Sequence, residues 1–97
     1  MNARGFAVLL VFLLASTACA NVPVQEMSSA RAALSAAQAA GARDSAPAAY
    51  RRAEDLLNRA QVEMEVRSYA RAKALAVEAK DAAVQAQTKA QAGELKP

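Results

Sequence analysis

The 97-residue chain contains no histidine, tryptophan or isoleucine and has a single cysteine, Cys19. Without histidine it cannot form the Ser–His or Cys–His pair that activates a catalytic nucleophile. One cysteine and no histidine leave almost nothing from which to build a zinc site, and no glycine-rich phosphate loop is present. We therefore expect a protein that is not an enzyme and that uses no metal and no other cofactor.

Large apolar and aromatic side chains are also scarce. Both phenylalanines, Phe6 and Phe12, lie near the N-terminus, so that Tyr50 and Tyr69 are the only aromatic residues in the rest of the chain. Such a composition gives little from which to line a pocket, and we expect no small-molecule substrate. The net charge of +3 comes from interspersed charges of both signs, a pattern that does not predict a nucleic-acid partner.

The N-terminal segment has the three parts of a secretory signal peptide. Arg4 precedes an uninterrupted apolar run at residues 6–14, and the small residues Ala15-Ser16-Thr17-Ala18 follow it. A transmembrane anchor is the alternative, but a membrane-spanning helix needs about 20 apolar residues, which this run does not reach. We predict a signal peptide over residues 1–18 that is cleaved between Ala18 and Cys19.

The residues Ala15-Ser16-Thr17-Ala18-Cys19 resemble a bacterial lipobox. The resemblance implies that the Cys19 thiol receives diacylglycerol and that the new N-terminus is acylated, for example with palmitate. Ser16 stands where leucine is commonest, although small residues are tolerated there. An ordinary cleavage site before a free cysteine is the alternative, but a lone cysteine in an exported protein would be a liability. By resemblance to enterobacterial sorting rules, in which aspartate after the cysteine favours the inner membrane, Ala20 implies the periplasmic face of the outer membrane.

Alanine fills 28 positions and is the best helix-forming residue. After a lipidated tether at residues 19–23, the pattern predicts an alanine-rich helical domain at 24–92 and a short tail at 93–97. Its three helices would span about 24–40, 46–66 and 68–92. Gly41 suits the left-handed position after the first helix. Asp44 or Ser45 would cap the second helix, and Pro47 would lie in its first turn.

Apolar residues recur along each segment at spacings of three and four, which places them on one face of a helix. Tyr50 and Tyr69 would anchor the packing with their hydroxyl groups at the surface, and Leu56 would lie beside the seam. The fold class we predict is all-α, a small antiparallel helical hairpin or three-helix bundle after the cleaved signal peptide. The larger seam residues are Met27, Leu34, Tyr50, Leu57, Met64, Tyr69 and Leu75.

The break at residues 66–68 contains neither glycine nor proline. The pattern that starts at Tyr50 and ends at Ala60 recurs from Tyr69 to Ala79, which favours two helices that pack together, with Ser68 as a cap. One continuous helix of about 45 residues is the alternative.

One set of residues in the mature chain follows the pattern of a known family, namely Ala42, Ala46, Pro47, Tyr50, Ala53, Glu54, Leu57, Ala60, Met64, Tyr69, Ala72, Leu75, Ala76, Ala79, Asp81 and Ala82. Through these residues the chain, from about residue 24 to residue 90, resembles the short proteobacterial lipoproteins grouped as domain of unknown function 4398. That resemblance implies a helical domain and no known activity. The stretch from Tyr69 to Ala79 is also similar to the second helix of a tetratricopeptide unit.

Together these features predict a membrane-anchored envelope lipoprotein whose helices form an interaction module facing the periplasm. Its partner would be another periplasmic protein or peptidoglycan. The alternative is a structural spacer similar to the murein lipoproteins, which form trimeric coiled coils between the outer membrane and peptidoglycan. The C-terminal Lys96-Pro97 departs from the terminal lysine of that class, and Gly41 and Pro47 interrupt a continuous helix.

Overall fold

The computed structural model describes residues 22–94 and shows an all-α fold in this range. The helices are α1 (Val24–Ala39), the short α2 (Ala42–Ser45), α3 (Pro47–Glu65) and α4 (Tyr69–Glu94). The all-α fold class is therefore confirmed, whereas the predicted signal peptide lies outside the described residues.

The three long helices alternate in direction. Near the starts of α4 and α1, Lys73 Nζ lies 3.8 Å from Glu26 Oε1. Arg31 of α1 donates a hydrogen bond of 2.7 Å to Gln61, near the end of α3. Helices α1 and α4 therefore run parallel to each other, and α3 runs antiparallel to both.

Helix α4 is the central element, because it packs extensively against both α1 and α3, which contact each other much less. Its alanines recur at spacings of three and four, so one continuous face of the helix consists of methyl groups. Seven alanines on this helix are buried, namely Ala72, Ala76, Ala79, Ala82, Ala83, Ala86 and Ala90.

Alanine also dominates the core as a whole, since thirteen of the sixteen buried hydrophobic residues among those described are alanines. The three larger ones are Met27, Tyr50 and Leu56. A methyl group contributes only about 0.8 kcal/mol when it is buried, but alanine lets two helix backbones approach closely. In the described part of the chain no polar or charged residue is buried. The bundle is thus held by many small apolar contacts.

The connection between α1 and α3 differs from the prediction in one respect. Gly41 has a φ of +79°, which is the left-handed conformation predicted after the first helix. The residues that follow form the short helix α2 rather than a loop. Ser45 lies inside α2, where its hydroxyl donates to the Gly41 carbonyl at 2.9 Å.

The predicted cap of α3 by Asp44 or Ser45 is therefore wrong. Ala46 precedes α3, and it makes no side-chain capping hydrogen bond. Pro47 begins the helix, as predicted, and its ring disfavours a helical conformation at Ala46, whose φ is −140°. Proline thus separates α2 from α3 without a capping side chain.

The chain turns again between α3 and α4, so the continuous-helix alternative is not the arrangement found. Arg67 has a φ of +62°. The Ser68 N–H donates to the Glu63 carbonyl at 2.8 Å, and the Arg67 N–H donates to the Met64 carbonyl at 3.1 Å. These two bonds make a Schellman motif, in which arginine occupies the position that glycine usually takes.

The remaining helix ends lie within two residues of those predicted, as is usual for helix boundaries. Helix α1 ends at Ala39 rather than near 40, and α3 spans Pro47–Glu65 rather than 46–66. Helix α4 begins at Tyr69 rather than 68 and continues through Gly93 to Glu94 rather than ending near 92. Gly93 therefore belongs to α4 and not to a separate tail.

Replacing Gly41 by alanine tests the first turn. Beyond the two adjacent residues, no heavy atom lies within 4 Å of the added Cβ, so the expected loss of about 1 kcal/mol in the free energy of unfolding arises from the left-handed backbone alone. Gly93→Ala is the matched control, because Gly93 lies inside α4 and its replacement should stabilise by up to about 0.5 kcal/mol. Urea denaturation measures the change in the free energy of unfolding for each variant. If both variants were stabilised or both destabilised, this account of Gly41 would be contradicted.

Replacing Arg67 by glycine should stabilise the bundle by about 0.5 kcal/mol, because it removes the cost of a left-handed arginine while adding the backbone entropy of glycine. Arg71→Gly removes the same charge within α4 and should destabilise by about 1 kcal/mol. Thermal unfolding of the two variants separates the conformational effect from the effect of charge. A destabilised Arg67→Gly variant would mean that the arginine side chain itself stabilises the turn.

The close approach of the helices predicts that Ala83→Leu is destabilising. Ala83 is fully buried, so the larger side chain must push the helices apart at a cost of about 1–3 kcal/mol. Val84→Leu is the control, since Val84 is 44% exposed and its change should stay within about 0.5 kcal/mol. Chemical denaturation measures the free energy of unfolding of both variants. An Ala83→Leu variant as stable as the wild type would show that the seam has unfilled space beside Ala83.

Candidate functional site

The residues predicted to form the packing seam divide into two groups. Met27 and Tyr50 are each only 2% exposed and belong to the two buried clusters. The other five are half-buried. Of these, Leu34, Leu57, Met64 and Leu75 pack against the cluster that contains Met27, and the fifth is Tyr69. Leu56 is 4% exposed and occupies the core position of α3 that the prediction gave to Leu57. Either leucine satisfies the three-and-four spacing between Ala53 and Ala60, so the sequence pattern does not separate them.

Tyr50 does not present its hydroxyl group at the surface, so that part of the prediction is wrong. The guanidinium carbon of Arg43 lies 5.4 Å from the centroid of its ring, and Arg43 Nη2 donates to the hydroxyl at 3.5 Å. The hydrogen bond to Tyr50 raises the pKa of Arg43 above its ordinary value. Arg43 thus covers one end of the bundle. Sequence reasoning missed it because α2 was expected to be a loop.

The predicted lipid-attachment and cleavage residues, Cys19 and Ala18, lie outside the described residues. The described residues begin at Val22, three positions after Cys19, and the next residue already packs in the bundle. Pro23 is buried, and its carbonyl accepts the Met27 N–H at 3.1 Å. Pro23, which was assigned to the tether, therefore belongs to the bundle. Only residues 20–22 separate Cys19 from it.

The end of the bundle where the chain enters carries a groove of about 450 Å³. We call this end the entry end; it comprises the start of α1, the last turn of α3, the 66–68 turn and the first turns of α4. The groove lies between the incoming chain and the first turns of α4. Lys73 and Glu26 at its wall form a partly solvated ion pair, which contributes little stability. Its lining residues include Val22, Pro23, Glu26, Arg67, Tyr69 and Lys73.

A second groove, of about 420 Å³, lies between α3 and α4. Its walls combine apolar side chains such as Val62 and Leu75 with Arg59, Glu63 and Arg71. Arg59 lies 3.9 Å from Asp55, and both side chains are mostly exposed. This mixture of charge and apolar surface can contact another molecule, but it does not concentrate charge of one sign.

Two further kinds of site are absent from the described residues. Between residues 22 and 94, no three His, Cys, Asp or Glu side chains are placed so that they could hold a metal ion. Within the same range, no helix is both long and apolar enough to cross a bilayer.

Comparison with known proteins identifies one family. The family model described as Domain of unknown function (DUF4398) matches residues 25–96. No curated protein and no solved structure matches the chain. The match covers all four helices and agrees with the resemblance seen in the sequence. The chain therefore belongs to the DUF4398 family, and its bundle is a small helical domain of unknown function.

Proposed function

We propose that this protein is a lipid-anchored envelope protein without enzymatic activity, whose helical bundle is an interaction module on the periplasmic face of the outer membrane. One observation carries the proposal. An apolar leader and a lipobox-like sequence that ends at Cys19 stand immediately before a helical bundle. The bundle begins at Pro23, so an anchor on Cys19 would hold it directly at the membrane.

The distribution of charge supports a role without catalysis. Every charged side chain between residues 22 and 93 is exposed or half-buried. General acids and bases usually depend on a desolvated carboxylate in a closed site. The carboxylates of this range are exposed or half-buried instead, which suits a contact surface better than a reaction centre.

The surface of the bundle supports an interaction role. Val77 and Val84 are exposed along α4, and Val77 lines a groove with the polar and charged residues Gln25, Glu26, Ser29, Lys80 and Asp81. An apolar centre with a polar rim is the usual composition of a protein-binding surface. A periplasmic protein is the partner class that this surface fits best. Peptidoglycan is the other class, for which the exposed arginines of α3 offer hydrogen-bond donors.

The spacer alternative depends on a long continuous helix. The described chain reverses direction at Gly41 and at Arg67, and both turns are closed by backbone hydrogen bonds. Its longest helix has 26 residues, which is about 39 Å at 1.5 Å per residue. The folded bundle therefore favours an interaction module over an extended spacer.

Expression of the full chain in a Gram-negative host with radiolabelled palmitate tests the anchor. We expect label on the wild type and on Ser16→Ala, because Ser16→Ala keeps a small residue in the lipobox-like sequence. Cys19→Ser should remain unlabelled, since serine lacks the thiol that would accept diacylglycerol. Membrane fractionation should recover the labelled chain with membranes, because two or three acyl chains bind stably. Within that fraction we expect the outer membrane, because Ala20 stands where, by resemblance to enterobacterial sorting rules, aspartate would retain the chain in the inner membrane.

Two results would contradict the proposal. An unlabelled wild-type chain would exclude lipidation, and a labelled Cys19→Ser chain would place the lipid elsewhere. Recovery of the labelled chain with the inner membrane would keep the anchor but overturn the outer-membrane assignment.

A further inference from the structure

The exposed large apolar side chains of the described residues concentrate at the entry end. Val24 begins α1, Val62 lies in the last turn of α3, and Val66 lies in the turn that follows. Val22 immediately precedes the bundle. These four are among the six exposed large hydrophobic residues between positions 22 and 94, and Val24 and Val66 are the most exposed at 65% and 64%. The other two, Val77 and Val84, lie along α4.

The same end carries side chains that are typical of a membrane–water interface. Tyr69 is half-buried and borders the groove with the exposed residues Arg67 and Lys73. Tyrosine favours the headgroup level of a bilayer, and long cationic side chains can bury their stems while their charges stay in water. Valine side chains can enter the boundary between headgroups and acyl chains.

The charges at the entry end are close to balanced. Arg67, Arg71 and Lys73 are offset by Glu26, Glu63 and Glu65, and Glu26 pairs with Lys73. A polyanion such as a nucleic acid would need a clear excess of positive charge. The exposed valines therefore distinguish this end more clearly than its charges do. They favour a binding partner that offers both an apolar phase and a polar surface.

The length of the tether identifies that occupant. From Cys19 to Pro23 the chain spans four residue steps, so it reaches at most about 14 Å when fully extended. A lipid on Cys19 lies in the bilayer, and the entry end must then lie near the bilayer surface. The opposite end of the bundle, at α2, is separated from it by the 16 residues of α1, which is about 24 Å.

We propose that the entry end is a phospholipid-docking surface, on which the bundle stands upright on the leaflet that holds its lipid. The inference rests on the proposed anchoring through Cys19. Val22, Val24, Val62 and Val66 insert at the headgroup boundary, while Arg67 and Tyr69 contact the headgroups. The surface near α2 then faces away from the membrane.

A single-tryptophan experiment tests this orientation, because the chain has no tryptophan of its own. Val66→Trp places the reporter at the entry end, and Val84→Trp is the matched control on α4. The lipidated full-length proteins are reconstituted into vesicles of phosphatidylethanolamine and phosphatidylglycerol, some of which carry a spin-labelled quencher near the headgroups. We expect a blue shift and loss of emission for Val66→Trp and neither change for Val84→Trp, with unchanged circular dichroism for both.

Flotation of the same vesicles separates the two proposals. A chain that does not float with the vesicles would overturn the anchoring and the docking that depends on it. A chain that floats but shows equal emission for both variants would overturn the docking alone. A long glycine–serine insertion after Ala20 provides the remaining control. Quenching of Val66→Trp should persist if the surface docks, and its loss would show that tether length alone kept the reporter near the membrane.

Discussion

Contact between the alanine face of α4 and the two neighbouring helices is the interaction on which the whole bundle depends. Helices α1 and α3 touch each other little, so each buries its apolar face mainly against α4. Because the fully buried side chains on α4 are all methyl groups, the neighbouring helices can approach it closely, and the seam leaves little space for larger residues. Both turns, the parallel direction of α1 and α4, and the position of the entry end follow from this arrangement.

A core of methyl groups raises the question of what fixes the register of the helices, since alanine faces can slide past one another at little cost. Three larger residues supply that specificity. Met27 and Leu56 lie in one buried cluster near the middle and the entry end. Tyr50 lies in the second cluster with alanines from α1, α2 and α4, and Arg43 covers its ring. Each large side chain fits between small neighbours and thereby opposes sliding.

Structural features that repeat along the sequence with the period of a helix could be predicted, and features without such a repeat could not. The alanine face of α4 could be predicted, because the spacing of three and four repeats over about five turns of helix, from Ala72 to Ala90. Leu56 and Leu57 could not be separated, because both satisfy the same spacing between Ala53 and Ala60. The four-residue helix α2 is too short to show a period, so Arg43 and its contact with Tyr50 were missed. The lipobox-like sequence is a local pattern, whereas the entry groove joins segments more than forty residues apart and needs the fold.

The left-handed conformation of Arg67 illustrates the same limit. Nothing in the intrinsic preference of arginine favours a φ of +62°. The turn exists because two orphan carbonyls of α3 receive hydrogen bonds there and because α4 can then return along α3. The packing of α4 on α3 therefore overrides the backbone preference of arginine. In the sequence, the only sign of this turn is that the pattern from Tyr50 to Ala60 recurs from Tyr69 to Ala79.

The central helix is also the last helix of the described chain in sequence order, and this has a consequence for the folding pathway. While only α1, α2 and α3 have been synthesised, they lack the surface that covers them, and the contacts between α1 and α3 are few. Most of the tertiary contacts of the bundle can therefore form only after α4 has been synthesised. Until then α1 and α3 each lack the helix that covers their apolar faces, so the fold forms late in synthesis rather than helix by helix.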